Sequence, residues 1–128
     1  MALKIFLYIC NLLIPIIMLI FGNVFTKHPP GSINMAYGYR TKRSMKNQET
    51  WNFAHEYCGR IWKNAGAVTL VISLLISLAV FFMDEVGFGY LSLILEHLQL
   101  VILIGSLYPV ERALKKNFDN EGKRKEEG

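Results

Sequence analysis

Four cations, Arg40, Lys42, Arg43 and Lys46, fall within seven residues of one another. A guanidinium is a planar fork of donors that can bridge backbone carbonyls, grip a carboxylate or hold a lipid phosphate. Arg40 is the candidate for that chemistry. It would either pin its loop to the helix ends through Glu56 or Glu111, or dock a phosphate headgroup or an acidic partner. A second capable set, Glu96, His97 and Gln99, stands inside an apolar run. An ionised side chain at the centre of a bilayer costs at least about 2.5–3.5 kcal/mol, so such groups normally face a bundle interior and are paired. Other chemistries lack their residues. His55-Glu56 has no second histidine one turn on, because position 59 is Gly, so the H-E-x-x-H zinc pattern is not met. No Gly-rich phosphate loop, triad spacing or zinc motif occurs, and no cofactor or metal is expected.

The elements that must position these residues follow from how the apolar residues are distributed. The chain has 128 residues, of which 52% are hydrophobic, and its mean hydropathy is +0.29. The apolar residues gather in three blocks, with the charges between and after them. A hydrocarbon layer about 30 Å thick calls for runs of roughly 20 apolar residues. The predicted fold is all-α: one integral membrane domain, a three-helix bundle with spans at about 3–25, 65–83 and 88–108. The net charge of +4 sits in basic residues flanking the blocks, a topology signal rather than a nucleic-acid one. Cys10 and Cys58 lie in different helices and have no metal-ligand spacing, so neither a disulfide nor a metal site is expected.

In the first span, Asn11, Pro15, Met18 and Gly22 share a helical face. Pro15 should kink the helix and free a carbonyl near Asn11. The loop over 26–50 opens on Pro29-Pro30-Gly31, which stops any helix. Asn47 is the predicted N-cap of the second helix, with Glu49 in its first turn. That helix runs to Met83. Its first part, Gln48 to Asn64, is amphipathic, with Trp51, His55, Cys58 and Trp62 on one face, and reads as a cytoplasmic extension. Gly59 and Gly66 permit close helix contact. The third span ends at Pro109, and the tail over 111–128 reads as a charged, fraying cytoplasmic end.

The first loop and the tail are rich in Lys and Arg, whereas the Asp84-Glu85 turn has neither. The positive-inside rule puts the loop and tail in the cytoplasm and the N-terminus outside. With a rise of 1.5 Å per residue, Asn11 and Glu96 each lie about 12 Å, and Ser77 about 9 Å, below the outer ends of their spans. The polar stripes can therefore meet. The expectation is a buried cluster of Asn11, Ser73, Ser77, Glu96 and Gln99, acting as packing glue or as the floor of an outward-facing cavity.

The spacing Gly38-Tyr39-Arg40-Thr41-x-x-Ser44-x-x-Asn47-x-x-x-Trp51-x-x-Ala54 resembles the signature loop of the SdpI/YfhL family of small bacterial membrane proteins. The tail, with Glu111, Asp119 and Gly122, is similar to that family too. The resemblance implies a multi-pass protein of the bacterial cell membrane, whose founding relatives are immunity and signalling proteins against a secreted peptide toxin. In the founding system the cytoplasmic partner is a transcriptional repressor held at the membrane. Larger relatives carry extra helices ahead of this unit, and the chain is read here without them.

The expected function is therefore toxin immunity or signalling. The bundle would engage a membrane-active peptide, and the basic loop would dock a cytoplasmic regulator. Membrane lipids and a second copy of the chain are further expected partners, and direct nucleic-acid binding is not expected. One alternative is a small membrane enzyme or transporter in which Glu96 and His97 relay protons and Arg40 holds a lipid phosphate. Another is a structural subunit of a larger membrane complex.

Overall fold

A computed structural model describes residues 1–125. It contains four helices: α1 (Ala2–Lys27), α2 (Gln48–Val80), α3 (Glu85–Gly105) and α4 (Leu107–Asn117). No strand occurs among the described residues; Phe118 and Arg124 form an isolated bridge. Three helical runs, Ala2–Lys27, Gln48–Val80 and Glu85–Asn117, are long and apolar enough to cross a membrane. Most of their large hydrophobic residues point outward, including Ile9, Ile17, Leu75, Leu98 and Val101. That inversion of the soluble pattern suits a lipid solvent.

The interior holds many small and polar side chains. Buried on α1 are Asn11, Pro15, Met18 and Gly22, the face anticipated from their spacing, and Phe25 further along the helix. Glycines let α1 and α2 approach at backbone distance. A Cβ on Gly22 would stand 2.4 Å from the Lys63 backbone nitrogen, and one on Gly66 would stand 2.9 Å from that of Leu19. Close approach through small residues is the usual means of joining helices where no hydrophobic effect drives association.

The polar stripes of the three spans meet as a hydrogen-bonded cluster. The Asn11 amide donates to Ser77 Oγ and Ser92 Oγ, each at 3.1 Å. The Gln99 amide donates to Ser73 Oγ and to the Asn11 carbonyl, each at 2.7 Å. Pro15 explains the last contact: it has no N–H for the carbonyl four residues earlier, and Gln99 uses the acceptor that Pro15 releases. One expected member is corrected. Glu96 makes no hydrogen bond to the cluster, and Ser92, one turn earlier on the same face, occupies that place. Gln99→Leu should cost about 1–2 kcal/mol, because the Asn11 carbonyl and Ser73 lose their donor in a water-poor interior. Unfolding by denaturing detergent measures this, and Pro15→Ala in the same chain should recover part of the loss by restoring the helical N–H.

Three boundaries also differ from expectation. Helix α2 stops at Val80 rather than Met83, where the Phe81 N–H turns back to the Leu78 carbonyl. Helix α3 begins at Glu85 rather than Phe88, because Asp84 caps it by accepting the Gly87 N–H at 3.0 Å. Pro109 does not end the helical run. The break comes at Ser106, and Pro109 lies in the first turn of α4, where a missing N–H costs nothing. The tail does not fray over its described part. Val110, Ala113, Leu114 and Phe118 are buried against α2 and the loop, and residues 126–128 of the predicted tail lie outside the described chain. Cys10 and Cys58 are both free thiols.

Candidate functional site

The loop between α1 and α2 is held in place by its own side chains and by two other elements. Asn47 caps α2: its side chain accepts the Thr50 N–H at 2.9 Å, and Thr50 Oγ1 accepts the Asn47 N–H at 3.0 Å. This reciprocal arrangement satisfies two of the free donors at a helix start. The Ser44 hydroxyl is fully buried. It accepts the Thr41 N–H at 2.8 Å and lies 2.9 Å from the Tyr39 carbonyl, to which it can donate. Trp51, on the first turn of α2, donates its indole N–H to the Pro30 carbonyl at 2.9 Å. The Pro-Pro-Gly entry is thereby fixed to the helix.

His55 anchors the centre of the loop, and the sequence reading gave it only a place on the Trp51 face. It is fully buried. Its Nδ1 lies 2.7 Å from the Trp51 carbonyl, and Nε2 accepts the Tyr39 backbone N–H at 2.7 Å. A carbonyl only accepts and an N–H only donates, so the ring is neutral with its proton on Nδ1. Burial pushes the His55 pKa down, against the opposing effect of the Trp51 carbonyl. Trp51 and Phe25 pack on the ring at centroid distances of 4.3 and 4.9 Å. Gly38 passes close to the Nε2 edge of the ring with φ of +115°, and a Cβ there would stand 2.5 Å from His55 Nε2.

Glu111 of α4 closes the site from the other side. Its Oε2 accepts from the Tyr39 phenol at 2.6 Å and from the Thr41 hydroxyl at 2.9 Å, while Arg43 Nε lies 3.7 Å from Oε1. Burial first, and the Glu111 contact second, raise the Tyr39 pKa far above the ordinary phenol range, so Tyr39 remains a donor. The tail completes the frame. Gly122, at φ of +84°, offers its carbonyl to the Asn47 amide at 2.6 Å. The Asp119 carboxylate accepts the N–H groups of Glu121 and Lys123 at 2.9 Å, and the Lys123 contact leads in lowering its pKa. Arg124 Nε meets Glu49 at 2.9 Å.

Gly38, Tyr39, Thr41, Ser44, Asn47, Trp51, Glu111, Asp119 and Gly122 thus belong to one continuous structure. Arg40 does not join it. The expected pinning contact with Glu56 or Glu111 is absent: Glu111 is engaged by Tyr39, Thr41 and Arg43, and Arg40 is exposed with no partner among the described residues. Tyr39 and Thr41 turn inward to Glu111, and Arg40 between them is left exposed. Lys42 and Lys46, two and six residues further along the chain, are exposed too. They and Arg43 line a cavity of about 270 Å³ that also includes Glu111, Phe118 and Gly122. Arg40, Glu96 and His97 are not brought together: Arg40 lies in the loop, Glu96 is half-buried on α3, and His97 is exposed on that helix's outer side.

Residues 32–109 match the family described as "SdpI/YfhL protein family". Over 68 residues the chain is 39% identical to "Uncharacterized protein YfhL" of Bacillus subtilis (strain 168), a stretch that is 53% of this chain and 62% of that relative. The chain therefore matches somewhat less than two thirds of the curated relative's length. No solved structure matches. The matched region takes in the motif loop, α2 and α3, and this chain belongs to the SdpI/YfhL family.

Proposed function

We propose that this chain is an immunity-type protein of the bacterial cell membrane that protects against a secreted membrane-active peptide. In this reading the motif loop is a rigid cytoplasmic mount for a basic docking surface. The observation that supports it most is the division of labour within the motif. Tyr39, Thr41, Ser44, Asn47 and Trp51 are engaged in holding the loop, while Arg40 is exposed and unpaired among the described residues. A loop needed only to connect two helices would not require so many fixed contacts. The exposed Arg40, with Lys42 and Lys46 close by in sequence, would meet an acidic face of a cytoplasmic regulator. The proposed topology puts the N-terminus outside and the segment Gln48–Asn64 of α2 below the membrane, as an amphipathic cytoplasmic extension, with the tail on the same side.

A challenge experiment tests the immunity reading. Cells sensitive to a secreted membrane-active peptide toxin are grown with the chain expressed or with an empty vector, and survival is scored across toxin dose. A shift of the killing curve to higher dose is expected with the chain present. Coincident curves at a verified membrane level would overturn the immunity reading.

A further inference from the structure

Helix α3 turns Phe88, Ser92, Leu95 and Gln99 inward and leaves its other side uncovered. Leu93, Leu100 and Ile104 are exposed there, and so is His97. The His97 Nδ1 lies 2.7 Å from the Leu93 carbonyl. Because a carbonyl only accepts, that nitrogen carries the proton, and Nε2 presents a lone pair outward. The neighbouring Glu96 is half-buried; its Oε1 is sheltered within this chain with no partner among the described residues, which leaves Oε2 as the oxygen a neighbouring helix could reach. The two side chains diverge by about 100° around the helix and do not bond each other. Two unpaired polar groups near mid-span are costly in lipid, where such groups normally find a partner.

We propose that a second copy of this chain packs on this face, so that Glu96 of each copy bonds His97 of the other. Two copies inserted with the same orientation, related by an axis along the membrane normal, carry identical residues at identical depth. Glu96 and His97 differ by one helical rise of about 1.5 Å, so the crossed contacts fall within reach of both side chains. Leu93 and Leu100 stand one heptad apart and form the seam, with Glu96 between them. In a parallel helix pair, the seam residue at that point packs against the facing helix's next residue, which is His97. The protons balance without outside help. The Glu96 acid donates its O–H to Nε2, or the same proton sits on the imidazole and the contact is an ion pair. Such a contact is isologous and occurs twice, which an unrelated helix would not offer. Gly89, two turns toward the other end of the seam, has open space where a Cβ would stand, which lets a neighbouring helix approach.

Oxidative trapping in native membranes tests the pairing, using Cys10→Ala chains with one added cysteine. Leu93→Cys and Leu100→Cys are expected to give disulfide dimers, and Leu75→Cys, on the exposed side of α2, is not. Glu96→His alone and His97→Glu alone each set like residues against each other, and each should cut the trapped fraction about fivefold or more. Co-expressed at matched membrane levels under different tags, these two variants oppose Glu to His at both contacts, and the mixed dimer should return. A wild type that does not cross-link through Leu93 or Leu100, equal trapping through Leu75, undiminished trapping in the single variants, or no mixed dimer overturns the proposal. So does trapping that appears only when an added peptide occupies the face.

Discussion

Gly38→Ala is expected to dislodge the motif loop and to cost about 3 kcal/mol, from backbone strain together with overpacking. Two independent effects act at this position. The backbone φ of +115° is one that a residue with a Cβ rarely adopts. The added carbon would also stand 2.5 Å from His55 Nε2, with Pro30 and Trp51 closing the other sides. None of these neighbours has room to move, because His55 is fully buried and the Trp51 indole is bonded to Pro30. The loop must therefore lift, and the Tyr39 N–H leaves its acceptor. Detergent-induced unfolding followed by tryptophan fluorescence measures the loss. The variant should also expose the loop to protease at concentrations that leave the wild type intact.

His55→Ala is expected to cost about 3–5 kcal/mol, as a cavity the size of a ring opens and the buried Tyr39 N–H loses its acceptor. His55→Phe separates the two effects: it fills the space and keeps the packing on Phe25 and Trp51, and should still lose about 1–3 kcal/mol for the orphaned N–H. Since Gly38→Ala already breaks the same contact, the Gly38→Ala and His55→Ala losses should add to well under their sum. The pH dependence has a definite sign. The His55 pKa is lowered in the folded protein, mainly by burial. Between its folded and unfolded values, the unfolded chain therefore binds more protons. The contribution of His55 is fully present above about pH 6.5 and falls away as the pH drops below it, by up to about 1.4 kcal/mol per pH unit. Subtracting the His55→Phe curve isolates this slope, and a wild-type stability no more acid-sensitive than that variant would exclude the neutral-acceptor role.

Much of this architecture is legible in the chain because it follows from hydropathy and helical period. Block length marks the spans. The spacing of Asn11, Pro15, Met18 and Gly22 marks the packed face of α1, and equal depth brings Asn11, Ser73, Ser77 and Gln99 together. Period alone could not separate Ser92 from Glu96, because they are four residues apart and share a face. Ser92 is the one within reach of the Asn11 amide, and Glu96 stands on the flank. The docking of the tail is hidden in the sequence by its charge, because the apolar set that holds it, Val110, Leu114 and Phe118, is sparse. The role of His55 depends on where Tyr39 passes, sixteen residues earlier in the chain. No spacing rule encodes that contact, although a histidine between Trp51 and Cys58 on a buried face was a hint that its ring needed partners.

If the loop is a mount and Arg40 is what it presents, then stability and protection must separate at that residue. The deciding measurement is toxin survival with Arg40→Ala, at a membrane level matched to the wild type. Loss of Arg40 should leave unfolding within about 0.5 kcal/mol of the wild type, as for an exposed side chain that supports nothing, while protection is largely abolished. Full protection by Arg40→Ala would contradict the account, and so would a loss of protection fully explained by a collapse in stability.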